Sequence, residues 1–100
     1  LSRVTEGRAF NLTQGYCRLT TAVDASRKVT LPLHPTCFSL AVGECLRLSL
    51  SAACFPAFSI NPGTGAAPKT ARLIDAQIIT LTVTLGGEQG GLIRLPLMPD

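Results

Sequence analysis

Apolar side chains recur at every second position in two long segments, and no convincing apolar stripe recurs at helical spacing anywhere in the chain. In CLRLSLS (45–51), Leu46, Leu48 and Leu50 alternate with Arg47, Ser49 and Ser51. In IITLTVTL (78–85), Ile79, Leu81, Val83 and Leu85 alternate with Thr80, Thr82 and Thr84. Successive side chains of a strand point to opposite faces, so this period gives each strand one apolar and one wet face. Such strands belong to antiparallel sheets covered on one side. KVTLPLH (28–34) repeats the pattern with Val29, Leu31 and Leu33. Its Pro32 cannot donate to a ladder, which places the segment at an edge or a strand end. YCRLTTAV (16–23) and GLIRLPLM (91–98) complete a set of about five predicted strands.

Breakers separate them: DASRK (24–28), NPGTGAAPK (61–69) and GGEQGG (86–91). The best helical candidate, KTARLIDAQ (69–77), is short. The expected fold is therefore all-β, an antiparallel β-sandwich, with residues 1–100 forming one domain or a fragment of one.

Composition narrows the function classes. With 46% hydrophobic and 15% charged residues, the chain has apolar content for a core and the wrong make-up for disorder. Its net charge is only +3, its nine Lys and Arg are scattered, and it has no Trp and a single tyrosine, Tyr16. Nucleic-acid grooves concentrate basic residues and interleave stacking aromatics, so none is expected here. No apolar run approaches the ~20 residues of a membrane-spanning helix. The opening LSRVTEGRAF lacks the regions of a signal peptide and starts as though in mid-strand, which points to a fragment. A cytoplasmic location is the working expectation.

Little in the sequence promises chemistry. Cys17, Cys37, Cys45 and Cys54 form no CxxC pair and His34 is the only histidine, so no structural zinc site is expected. The cysteines read as free, mostly buried thiols. The G-x-S-x-G elbow of a serine nucleophile is absent, and His34, the one imidazole, precedes Pro35 at a strand end. That setting fits a local hydrogen bond better than a general base. Glu6, Asp24, Glu44, Asp75, Glu88 and Asp100 are dispersed, with no pair placed for acid–base work. GGEQGG joins two predicted strands, whereas a phosphate cradle runs into a helix, so it reads as a hairpin loop. Asn11-Leu12-Thr13 fits the glycosylation sequon, which matters only in a secreted eukaryotic chain. No nucleophile–base–acid set and no cofactor is expected in this chain.

SAACFPAFSINPGTG (51–65) is too apolar for an ordinary loop and too rich in breakers for a strand, yet it holds two of the five aromatic residues. Extended back to Gly43, it resembles a signature of the C-terminal domain of the Xaa-Pro dipeptidyl-peptidase and cocaine-esterase-like serine hydrolases. There a strand beginning Gly-His-Arg leads to Phe-Pro-x-Phe and an Asn-x-x-Thr-Gly turn. Gly43, Leu46, Arg47, Leu48, Ser49, Phe55, Pro56, Phe58, Asn61, Thr64 and Gly65 match it. VTEGRAFNLTQGYCR (4–18) resembles the family's strand–turn–strand through Gly7, Arg8, Asn11, Leu12, Gly15 and Arg18. The segments KVTLPLHPTCFSLAVG (28–43) and LIRLPLMP (92–99) are similar to the segments that follow and close the domain. Two departures stand out: Glu44-Cys45 replaces His-Arg, and Thr5-Glu6-Gly7 replaces Pro-Asp-Gly.

The resemblance implies a jelly-roll β-sandwich that carries no catalytic residue and supports an α/β-hydrolase domain lying upstream. This chain would be the C-terminal half of that sandwich, inactive alone. Phe55, Pro56, Phe58 and Asn61 would either plug the core or form the interface with the catalytic domain, and edges freed of missing strands would favour a homo-oligomer. The alternative is a stand-alone β-sandwich that binds carbohydrate or protein, although sugar platforms usually offer Trp or several Tyr.

Overall fold

Regular structure begins with a tight hairpin. In the computed structural model, which describes residues 1–19, 27–67 and 69–99, strand β1 (Ser2–Thr5) pairs antiparallel with β2 (Arg8–Asn11). Strand β3 (Cys45–Arg47) pairs antiparallel with the other edge of β1, giving the order β2-β1-β3. The register sets Thr5 opposite Arg8, Ser2 opposite Asn11 and Val4 opposite Cys45. The two-residue connection, Glu6-Gly7, has both φ angles positive, 47° and 75°, as a type I′ turn requires. Glycine adopts that region freely and glutamate does not, whereas asparagine tolerates it. Glu6→Asn is therefore expected to stabilise the hairpin by about 0.5–1 kcal/mol, read as a rise in its urea midpoint.

The open end of the hairpin carries a β-bulge. The Leu12 and Thr13 amides both donate to Leu1 O, at 2.9 and 3.3 Å, so two residues oppose one. The Leu1 amino group donates to Thr13 O at 2.8 Å. Leu1 and Thr13 are buried there, the only buried residues described in this unit. The Thr13 hydroxyl donates to His34 O (2.6 Å), and the His34 amide donates to Gln14 O (2.9 Å). These two bonds bring residues 13–15 beside 32–34.

The chain divides into two units, Leu1–Ser51 and Ala52–Asp100. The second is built around turns. It contains one 3-10 turn, η1 (Leu73–Asp75), tied by Arg72 Nε and Nη2 donating to the Asp75 carboxylate at 2.8 and 3.2 Å. That turn is all the helical structure found in 69–77 among the described residues.

The sequence-based expectation of a sandwich is met only in part. A small three-stranded antiparallel sheet is present, most of the described chain is irregular, and no second sheet packs on the first among the described residues. Of the predicted strands, only the beginning of 45–51 joins a ladder, while 16–19, 28–34, 78–85 and 91–98 do not. Residues 20–23 of the predicted strand 16–23, and Asp24 to Ser26 of the breaker after it, lie outside the described residues, as do Pro68 and Asp100. The physical reason lies in the partners. A half-buried strand needs a neighbour for its backbone and a cover for its apolar face. Residues 45–47 receive the backbone neighbour from β1, and beyond them Leu48 and Leu50 lie exposed. The four cysteines are free as expected, but they are exposed rather than buried, because no second layer covers them among the described residues.

Candidate domain-interface site

The Phe55, Pro56, Phe58 and Asn61 stretch forms two consecutive turns in the second unit. The Phe58 amide donates to Cys54 O at 3.0 Å, which folds Phe55-Pro56-Ala57 into the first, and the Phe55–Pro56 peptide is cis. Asn61 Oδ1 accepts from the Gly63 amide at 3.0 Å, the side-chain-to-backbone bond that asparagine uses to initiate a turn. Pro62 is the buried member of this stretch, and its carbonyl accepts from the Gln77 amide at 2.8 Å. The second turn is thereby pinned to residues 77–79, and Ile79 is half-buried against it.

The phenylalanines do not plug a core. Phe55 is 72% exposed and Phe58 is exposed too, with no sandwich end for either to enter among the described residues. Phe55 instead rims a shallow hollow of about 280 Å3, lined also by Ser59, Ile60, Pro62, Arg72 and Leu73. The lining is largely apolar, and its one cation, Arg72, is held by Asp75. Pro62 and Gly63 are legible in the sequence as part of the Asn-Pro-Gly breaker, though not as site residues, whereas the Arg72 pairing depends on η1 and has no signal in the sequence.

Glu44 and Cys45, which stand where the resembled family has His-Arg, are engaged in the first unit. Glu44 Oε2 accepts from the Ala41 amide at 2.8 Å, and its Oε1 lies 3.6 Å from Arg3 Nε. Arg3 in turn lies over the Phe10 ring, its guanidinium carbon 5.7 Å from the centroid. Arg3 Nε is buried without a hydrogen bond, so the Glu44 contact acts through charge alone. Glu44 thus closes the turn into β3 and joins β3 to β1, a structural task. The Cys45 thiol is exposed on that edge strand.

Nothing described here assembles a catalytic centre. The His34 backbone is bonded on both sides, whereas its imidazole makes no hydrogen bond among the described residues. No group of three His, Cys, Asp or Glu side chains there could hold a metal ion, and no helix there is long and apolar enough to cross a membrane. Both ends of the Asn11-Leu12-Thr13 sequon are occupied. With its amide nitrogen turned toward its acceptors, Asn11 donates to Leu1 O and Thr13 O, and the Thr13 hydroxyl is bonded to His34. Compared with protein-family models, with curated proteins and with solved structures, the chain matches none of them.

Proposed function

We propose that this chain is a non-catalytic part of the C-terminal jelly-roll domain of a serine hydrolase of the Xaa-Pro dipeptidyl-peptidase or acyl-esterase type. Its role is to buttress an upstream α/β-hydrolase domain and to wall one side of the substrate cleft. The observation that carries the reading is the run from Gly43 to Gly65, where Phe-Pro-x-Phe and Asn-x-x-Thr-Gly follow an alternating strand pattern. One structural observation supports it. Phe55 stands exposed at the rim of an apolar hollow, the form of an anchor that a neighbouring domain covers.

The test starts with the reading frame upstream of Leu1. It is expected to encode a G-x-S-x-G elbow, with the acid and histidine of a triad between that elbow and Leu1. A frame without them overturns the proposal. The isolated hundred-residue chain is expected to hydrolyse neither esters nor Xaa-Pro amides. Turnover that survives purification and disappears in His34→Ala would place the chemistry in this chain instead. In the protein that the full frame encodes, Phe55→Ala is expected to lower kcat/KM by about tenfold through loss of an interface anchor.

A further inference from the structure

Residues 78–85 combine the strongest strand pattern in the sequence with an empty ladder. Six of the eight are β-branched, none is Gly or Pro, and no charge falls between Asp75 and Glu88. Such segments are those that pair readily with another chain when left uncovered. Here Ile78 is 98% and Leu85 83% exposed, with Leu81 and Val83 also exposed. Among the described residues, none of the eight amides donates a backbone hydrogen bond, and the single acceptor in use is Thr84 O, bonded by the Gly91 amide at 2.9 Å.

We infer that residues 78–85 form a self-pairing strand, whose partner is the same segment of a second copy of this chain, antiparallel and centred on Thr82. In that register Thr82 faces Thr82, Thr80 faces Thr84, Leu81 faces Val83 and Ile79 faces Leu85. Ile78 falls opposite Gly86 at the end of the strand; from 79 to 85 every apolar residue meets an apolar one and every threonine meets a threonine, the combination that stabilises cross-strand pairs. Neither acid meets its like, because Asp75 stands opposite Gln89 and Glu88 opposite Ala76. A slip of one residue sets each of the three threonines against an apolar residue. A shift of the centre to Leu81 sets Ile78 against Thr84. The two-fold is closed, so pairing gives a dimer with one patch used twice.

The competitor within the same chain is 92–97, which the turn at 86–91 brings back toward Thr84. In the register set by the bond between Gly91 and Thr84, however, Ile93 and Leu95 oppose Thr82 and Thr80, and Arg94 opposes Leu81. Pro96 also removes a donor. The faces conflict in the hairpin and agree in the dimer. The inference concerns this hundred-residue chain and does not rest on the hydrolase reading, whose test is the upstream frame.

The experiment is sedimentation of the whole chain over a concentration series, with reductant present because all four thiols are exposed. The wild type is expected to dimerise reversibly. Thr82→Lys and Thr82→Glu each set like charges against each other at the two-fold and are expected to weaken the dimer about tenfold or more. Mixing the two variants is expected to restore it, since the introduced lysine of one copy then faces the introduced glutamate of the other. A wild-type chain that stays monomeric, single variants that dimerise like the wild type, or a mixture that fails to recover overturns the proposal. Amide exchange on the wild type alone gives a second reading. Protection that rises with concentration is expected at 78–85 and not at the amides bonded within one copy, and protection of 78–85 independent of concentration overturns the pairing.

Discussion

Gly15→Ala is expected to abolish the join between residues 13–15 and 32–34, at a cost of roughly 2–4 kcal/mol. A Cβ at position 15 would collide with Pro32 O and stand 3.1 Å from the Pro32 carbonyl carbon and 3.2 Å from Leu33 Cα. All three are backbone atoms, so no rotamer change relieves the clash and one segment must move away from the other. Moving it breaks the bond from the His34 amide to Gln14 O, and with it the bond from the buried Thr13 hydroxyl to His34 O. Each is worth about 1 kcal/mol, and the displaced Thr13 adds the penalty of a buried hydroxyl left without a partner. So small a set of buried residues leaves little reserve stability, and the outcome is local opening rather than a modest shift of a global transition. The measurement is amide exchange at His34, expected to lose its protection while the β1–β2 amides keep theirs. Fluorescence of Tyr16, the one tyrosine and a direct neighbour of Gly15, gives an independent signal. Protection at His34 equal to that of the wild type would show that the two segments are held together by something other than this approach.

That close approach illustrates what was legible in the sequence and what was not. Gly15 could be read as a residue of the motif around VTEGRAFNLTQGYCR, but its reason, a backbone 17 positions away, exists only in the fold. The period of two located β3 at 45–47, because alternation there coincided with a real partner in β1. The same period over 78–85 located a segment with strand chemistry and no ladder. Alternation reports which face a residue would bury, not whether anything is present to bury it against. Strands β1 and β2 show the reverse case. Ser2–Thr5 and Arg8–Asn11 have little alternation of their own, and the strand–turn–strand was expected there only through the resemblance. Their pairing rests on the Glu6-Gly7 turn and the knot at Leu1 and Thr13. The expectation of buried cysteines, and the core alternative for the phenylalanines, both presumed a second layer. A side chain's hydrophobicity is local, whereas its burial is a property of its neighbours.

Gly63→Ala is expected to be the most damaging of three changes in the Asn-Pro-Gly turn and its flank, at roughly 2–4 kcal/mol, and a neighbouring glycine separates the two causes. Gly63 has φ of 73°, where an alanine costs about 1–2 kcal/mol from its own backbone contacts. An added Cβ would also stand 2.9 Å from Gln77 O and 2.9 Å from Ile79 Cγ1. The Ile79 side chain can turn aside, but the Gln77 carbonyl cannot without loosening the bond from the Gln77 amide to Pro62 O. The turn then lifts away, Pro62 is uncovered, and the wall of the hollow beneath Phe55 loses its support. Gly65 has nearly the same φ, 76°, and nothing within 4 Å of its Cβ position. Gly65→Ala therefore carries only the conformational part, about 1–2 kcal/mol. Asn61→Ala removes only the bond to the Gly63 amide and is expected to cost about 1 kcal/mol. The readout is amide exchange at Gln77, with Gly63→Ala losing the most protection and the other two variants losing less. Equal losses in Gly63→Ala and Gly65→Ala would mean that conformation alone sets the cost, and that the turn is not pressed onto Gln77 in solution. A larger loss at Gly63 ties the site's shape to that contact. Through it, the exposure of Phe55 becomes a consequence of how the Asn-Pro-Gly turn is seated.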